Sequence, residues 1–547
     1  MHADDHDAAL PSTGERTDAK RWLLGLLAVS VVVFASTLTV LRTRTVVKTP
    51  DECAYAEQAE SLLRDGSLTA GFVRHHHRRY PPDIDHPEDF YPPGNGALIA
   101  AAWTLFGRSD AVSAVPSAVI ACFLLPLLAF CLARRMGASG PFAFVAAASV
   151  LFESTTRDQA FEALADLPLA AATVGAITLV LRPGFVAAAL AGLVLGVGFW
   201  FKPTALLVVP ALAFALVVAR PATLRAHATR LLAFGGVFVA VCLPWLLRNQ
   251  ELFGDPLYSG NKFLSAAAND PGFVYSDIRK VYWADHAEPS TGFAASMVAH
   301  GIAPVVKRFL QHVYEIVTTH GLTAFGGLFV LATLSLVRQR LAAAILGAVV
   351  LYLLALSAVF AIYYRYLLPI LPVVAVVNWV FVDRVVRRLE AHGLGEILGR
   401  RLATPRLLAL LLASIVAIPG ASELGRDLVG GREFAPLPDV PMFQAAGWAR
   451  EHLPADATLM VQEAVIFRHA SGHKTVATPF DQPDAFEAVV QHYGVDYLIT
   501  LQSGQYAELS LLFGLPYLER FREHWKRFDP PGLPWTVWIR AGAPDPR

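Results

Sequence analysis

The chain has 547 residues, 55% of them hydrophobic and only 16% charged, with a mean hydropathy of +0.46. That balance argues against a soluble enzyme and for a polytopic membrane protein. Lysine plus arginine equals aspartate plus glutamate, at 45 each, which argues against a nucleic-acid partner, and the four cysteines (Cys53, Cys122, Cys131, Cys242) hold no C-x-x-C pair that would suggest a disulfide framework or zinc cluster.

Residues 1–21 are polar and mixed in charge and read as a disordered tail. The run 22–41 is long enough to cross a bilayer and too long for a signal-peptide core, so it is predicted to be an uncleaved first helix. TPDECAYAEQAESLLRDG follows. Thr49, Pro50 and Glu52 form a capping box, which accounts for Glu52. Asp51 is left over; at helical spacing it shares a packing face with Tyr55, Gln58 and Leu62. A carboxylate on such a face beside a membrane has a job or a partner. His75, His76 and His77, with Asp83, Asp85 and His86, have metal-ligand character, but consecutive histidines cannot all point one way, and a solvated loop is the expectation.

Gly94–Phe106 is too short to span and is predicted to lie at the interface. Apolar runs at 112–133, 141–152, 167–181, 185–201, 203–219, 231–247, 321–337, 341–362, 366–382 and 404–420 bring the expected crossings to about eleven. The short loops carrying Arg134, Arg135, Arg182, Arg220, Arg225, Arg230, Arg338, Arg340, Arg384, Arg387, Arg388, Arg400 and Arg401 then share one side, which the positive-inside rule makes the cytoplasm. The other side receives the loop 42–111, the turn 153–166, the loop 248–320 with a surface helix near 302–317, and residues 421–547. In that tail, TLMVQ, KTVAT, VDYLIT and TVWIRA read as strands, while PMFQAAGWAREHL and DAFEAVVQHYG read as helices.

Four charged residues converge on this outer surface. Asp166 is either the N-cap of the next helix, with Pro168 in its first turn, or a functional carboxylate. Asp158 and Glu162 nearby read as solvated or salt-bridged loop residues. Lys202 in GLVLGVGFWFKPTALLVVP snorkels at a helix end or serves a site, with Pro203 pinning the turn. Arg365 in YYRYLLPILP anchors an aromatic belt or joins the same site. Two cations and two carboxylates at one membrane face suit transfer from a lipid-linked phosphate. The cations stabilise the departing phosphate and a carboxylate accepts the attacking hydroxyl's proton. The chain lacks a Walker loop, a strand-following G-x-G-x-x-G and a G-x-S-x-G elbow, which removes ATP-driven transport and serine hydrolysis. The rival is a secondary transporter or a flippase for lipid-linked saccharides; it predicts charges near the midplane and two related halves, and no repeat is visible.

At these residues the sequence resembles the GT-C glycosyltransferases, within the protein O-mannosyltransferase and lipid A aminoarabinose transferase-like superfamily. The matching pieces are DECAYAEQAESLLRDG, HPEDFYPPGNGALIAAAWTLFG, ADLPLA, GLVLGVGFWFKPTALLVVP, PWLLRNQELFGDPLYS and RYLLPILP, with AAGWAREHLPADATLMV and YGVDYLI in the tail. They span most of residues 22–500. The resemblance implies a mainly α, polytopic fold: a transmembrane catalytic domain over 22–420, juxtamembrane helices in 42–111, and an extracytoplasmic α/β domain over 421–547. It implies a plasma-membrane enzyme that transfers a sugar from a polyprenyl-phosphate donor to a hydroxyl of a lipid, glycan or protein, with inversion. Asp51 maps to the proposed general base, with Glu52 beside it in the catalytic set, and Asp166 to the second-loop acid. Lys202 and Arg365 map to the donor phosphate; Tyr55, His86 and Tyr91 are the candidates expected to line the substrate groove. The family's compact H-P-P or K-P-P element is stretched here between His86–Pro87 and Pro92–Pro93. Some GT-C enzymes hold a divalent metal (Mg or Mn) between external-loop carboxylates; here that pair would be Asp51 and Asp166.

Overall fold

The computed structural model describes residues 13–44, 49–76, 82–260, 301–318, 332, 335, 339–359, 364–392, 405–432, 440–479, 483–501 and 523–547. Among the described residues, five helices are long and apolar enough to cross a membrane: Asp18–Leu41, Val115–Arg135, Leu224–Phe253, Arg340–Ala358 and Leu407–Gly430. Shorter apolar helices (Gly140–Leu151, Asp166–Val180 and Phe185–Phe201 among them) fill the bundle between these. Almost all of the expected crossing at 321–337 lies outside the described residues.

Several element ends differ from expectation. The first helix starts at Thr13, inside the segment read as disordered, because extending an existing helix costs far less than starting one. The last runs from Pro405 to Gly430, past the expected boundary at 420. Helix Leu371–Ala391 begins five residues late because Tyr364–Leu367, which holds Arg365, forms a 3-10 turn. The interface helix Gly94–Phe106 packs on Pro50–Asp65, and the surface helix forms at Ala303–Thr318.

Small residues set the bundle's closeness. A Cβ on Gly192 would run into the backbone carbonyl of Phe234, so helices Phe185–Phe201 and Leu224–Phe253 touch backbone to backbone. Arginines tie the loops of one end together. Arg135 donates to Leu181 O (2.9 Å), Arg230 to Val180 O and Leu216 O (3.0 Å each), Arg384 to Met136 O (3.2 Å), and Arg387 to Gly137 O (2.7 Å). The basic segments around Arg135, Arg182, Arg230, Arg384 and Arg387 therefore share one end of the bundle, while Arg338, Arg400 and Arg401 lie outside the described residues.

Strand β1 (Thr69–Ala70) pairs antiparallel with β3 (His86–Pro87). A six-stranded sheet joins β2 (Phe72–Val73) to β4 (Thr458–Val461), β5 (Lys474–Ala477), β6 (Tyr497–Leu501), β7 (Trp525–Phe528) and β8 (Trp535–Arg540). Its order is β2-β5-β4-β6-β8-β7. The strands β2, β5, β4 and β6 are parallel, whereas β8 is antiparallel to β6 and β7. The four strands expected in the tail are present, and β2 is donated by the first loop. Phe72 pairs with Thr475 and Val73 with Val476, and His76 shares a 2.6 Å hydrogen bond with Ala477 O. The tail sheet is thus stitched to the segment that follows the Asp51 helix.

Candidate active site

The helix Pro50–Asp65 begins as its sequence dictates. The Thr49 hydroxyl accepts from the Glu52 N–H at 3.2 Å, and the Glu52 carboxylate accepts from the Thr49 N–H at 3.1 Å. Asp51, in the first turn, faces elsewhere. Its Oδ1 accepts from the Tyr91 hydroxyl at 2.5 Å and from Arg74 Nη2 at 3.0 Å; its Oδ2 accepts from Arg365 Nη2 at 3.0 Å. Arg74 Nη1 also donates to the Tyr91 oxygen at 2.8 Å, closing a triangle. Burial works against ionisation of Asp51, but Arg74 and Arg365, with the Tyr91 hydroxyl, outweigh it and hold the carboxyl well below the usual carboxylate range. Burial pushes the Tyr91 phenol well up, so it stays protonated and donates.

A second ion pair lies beside the first. Lys202 Nζ donates to Asp166 Oδ1 at 2.5 Å. The two pairs meet at Tyr366: Lys202 Nζ is 4.4 Å and the Arg365 guanidinium carbon 5.5 Å from its ring centroid. Lys202 closes the helix Phe185–Phe201 in an extended conformation (φ −152°, ψ 121°), so its ammonium sits at the negative end of that helix. Asp166 is the first residue of Asp166–Val180, at a positive end. The cap position belongs to Ala165, with no side-chain cap bond, so N-capping does not explain Asp166; its oxygen serves Lys202 instead.

Backbone contacts hold the two pairs in register. A Cβ on Gly94 would come within 2.5 Å of Trp200 O, two residues before Lys202. Gln58 donates to Tyr91 O at 3.0 Å, which fixes the Tyr91 loop on the Asp51 helix. Glu88, buried, accepts from the backbone N–H groups of Phe90 (2.9 Å) and Tyr91 (3.0 Å). Among the described residues, the cluster brings the cations Arg74, Arg365 and Lys202 against the carboxylates Asp51 and Asp166. Its halves differ in access. Asp51 and Arg365 keep 20% and 29% of their side chains exposed, whereas Asp166 and Lys202 keep 4% and 12%.

The structure thus brings Asp51, Asp166, Lys202, Arg365 and Tyr91 together, and Tyr55 packs its ring 4.8 Å from Tyr91. Glu52 does not point into the cluster. It pairs with Arg44 at 2.5 Å, both side chains fully buried, and accepts from the Ala163 N–H at 2.8 Å. His86 hydrogen-bonds Ile84 O through Nδ1 at 2.9 Å. It lines a cavity of about 40 Å³ that Arg74 and Tyr91 also line and Asp51 does not. Sequence reasoning missed Arg74, because the two apolar residues Phe72 and Val73 before RHHHRR are too few to read as a strand. It also missed Tyr366, absorbed in the aromatic belt of YYRYLLPILP.

Among the described residues, no group of three or more His, Cys, Asp or Glu side chains is placed to hold a metal ion. Asp51 and Asp166 already receive protein cations, and a divalent ion between them would have to displace one. Among the described residues, the donor set does not fit a metal.

Residues 85–247 match the family described as dolichyl-phosphate-mannose-protein mannosyltransferase. Among curated proteins, none matches. Two solved structures of ArnT from Cupriavidus metallidurans share the fold. The apo form matches with a TM-score of 0.58 at 15% identity, over 95% of this chain and 98% of that one. The form bound to undecaprenyl phosphate matches with a TM-score of 0.58 at 14% identity, over 95% of this chain and 97% of that one. At such identity the likeness to ArnT is one of architecture. That architecture and the matched segment agree: the chain has the fold of ArnT, with several helices apolar enough to cross a membrane, and over residues 85–247 it is similar to the dolichyl-phosphate-mannose-protein mannosyltransferase family.

Proposed function

We propose that the protein transfers a sugar from a polyprenyl-phosphate donor to a hydroxyl acceptor, with inversion, at the extracytoplasmic membrane surface, in a bundle of about eleven crossings. The observation that carries the reading is Arg365, which bridges the Asp51 carboxylate and the Lys202–Tyr366–Asp166 group. Such a bridge can hand one cation from a carboxylate to an arriving phosphate. Support for the lipid carrier comes from ArnT, whose structure was solved with undecaprenyl phosphate.

In the proposed reaction the donor phosphate docks on Arg365 and Lys202. Asp51, relieved of Arg365, becomes a stronger base while Arg74 and Tyr91 keep it oriented. It accepts the acceptor hydroxyl's proton as that oxygen bonds the anomeric carbon. The bond from this carbon to the phosphate oxygen breaks on the opposite face, and its electron pair leaves with the polyprenyl phosphate, where the two cations stabilise it. Asp166 orients Lys202, and Glu52 holds the loop through Arg44.

The test is incubation of membranes containing the protein with radiolabelled polyprenyl-phosphate sugars, followed by analysis of product configuration. Label moving to a hydroxyl acceptor with inverted configuration supports the reading. Intact donor with every sugar and acceptor tried, or a product with retained configuration, counts against it.

A further inference from the structure

A second charged cluster lies at the other end of the bundle. Helix Phe185–Phe201 separates it from Lys202, and its 17 residues span about 25 Å. Arg135, Arg182, Arg220 and Arg230 gather there from four elements. Arg182 and Arg220 lie close enough to act on Arg135 electrostatically, and Arg220 acts likewise on Arg230. The chain carries no aspartate or glutamate from residue 111 to 152 or from 167 to 250, so these loops bring no counter-charge of their own.

Part of this cluster has a structural explanation. Arg135 and Arg230 donate to Leu181 O and Val180 O, satisfying carbonyls at the end of helix Asp166–Val180. Each guanidinium has five N–H groups, and those bonds use only some of them. The Nε atoms of Arg135, Arg220 and Arg230 are buried without a hydrogen-bond partner among the described residues. Arg182 makes no such capping bond among the described residues; it is exposed and adds a like charge beside Arg135.

A groove of about 470 Å³ opens at this point. Arg135 and Arg182 line it together with Leu179, Val186 and Leu190. Val186 and Leu190 are 56% and 42% exposed and continue the groove along the helix as an apolar track. Cations at the mouth and an apolar track running into the membrane match one kind of molecule. We infer that this groove binds an anionic phospholipid, its phosphate on Arg135 and Arg182 and an acyl chain along Val186 and Leu190, in the leaflet opposite the active site.

The test uses the full-length protein in detergent, incubated with mixed micelles carrying fluorescent phosphatidylglycerol or phosphatidylcholine, and reads lipid retained after gel filtration. Wild type should retain phosphatidylglycerol in preference to phosphatidylcholine. Arg182→Gln should weaken retention about fivefold, and adding Arg135→Gln should weaken it by a similar factor again. Arg182 is exposed, so its variants report on the groove even if the Arg135 variant folds poorly. Millimolar inorganic phosphate should leave the lipid bound. The inference is overturned if Arg182→Gln and Arg182→Glu retain lipid like wild type, or if phosphatidylcholine binds equally well. Displacement by inorganic phosphate would also overturn it, showing a site for free anions. None of these readouts depends on sugar transfer.

Discussion

Asp51 and Glu52 are neighbours in sequence, yet their carboxylates turn to different partners. Asp51 meets Arg365, 314 residues away, and Glu52 meets Arg44 in a fully buried pair. One of them faces an accessible rim and the other holds the loop. Removing one member of a buried ion pair leaves an uncompensated charge that costs about 3–5 kcal/mol. Glu52→Ala should therefore lower the thermal stability and membrane yield of the protein more than Asp51→Asn, which loses the charge of a partly exposed carboxylate but keeps its shape. Thermal melting of the two purified variants checks this contrast.

Arg74 should set the pH response. Asp51 has a folded pKa below the ordinary aspartate value of 3.8, so it stays ionised above that value and loses its charge only as pH falls through the lower folded one. The cations facing it are Arg74 and Arg365, with the Tyr91 hydroxyl as the third donor. Deleting one cation raises the folded pKa. Arg74→Gln should accordingly move the acid limb of the kcat/KM profile to higher pH, and Arg74→Lys should restore much of the wild-type position. A uniform loss of rate with an unmoved limb would assign Arg74 to packing alone.

Lys202 should act on the departing phosphate. Replacing a single group that stabilises developing negative charge commonly costs about 10²–10³ in rate. Lys202→Met should show a loss of that order in kcat and weaker inhibition by free polyprenyl phosphate, measured by competition against the labelled donor.

The approach of Gly94 to Trp200 sets the spacing between the Asp51 helix and Lys202. An added methyl would meet a backbone carbonyl rather than a yielding side chain. Gly94→Ala should cost about 1–3 kcal/mol by overpacking, and activity should fall further than the lost stability explains. Melting temperature and initial rate measured on one preparation separate the two effects.

Much of this arrangement was legible along the chain. The capping box at Thr49 and Glu52 is local chemistry, and it formed as read. Lys202 before Pro203 and Asp166 before Pro168 stood out because apolar runs on one or both sides made a charge conspicuous. Their mutual partnership was not legible, since it depends on how two helix ends meet. Arg74 was hidden for a related reason: the strand just before it, β2, forms only because the tail, some 400 residues later, supplies β5 to pair with it. The helix from Thr13 and the one reaching Gly430 show the opposite error. Hydropathy marks where a span is apolar, while the hydrogen-bonded helix continues into polar sequence until something stops it.

The most direct test of the central claim is a single-turnover measurement with a radiolabelled polyprenyl-phosphate sugar that wild type consumes. Donor binding and sugar transfer would be followed separately in wild type and Asp51→Asn. The account predicts that Asp51→Asn still binds donor, because Arg365 and Lys202 remain, but transfers about 10²–10⁴-fold more slowly. Transfer by Asp51→Asn at the wild-type rate would contradict it and remove Asp51 from the chemistry.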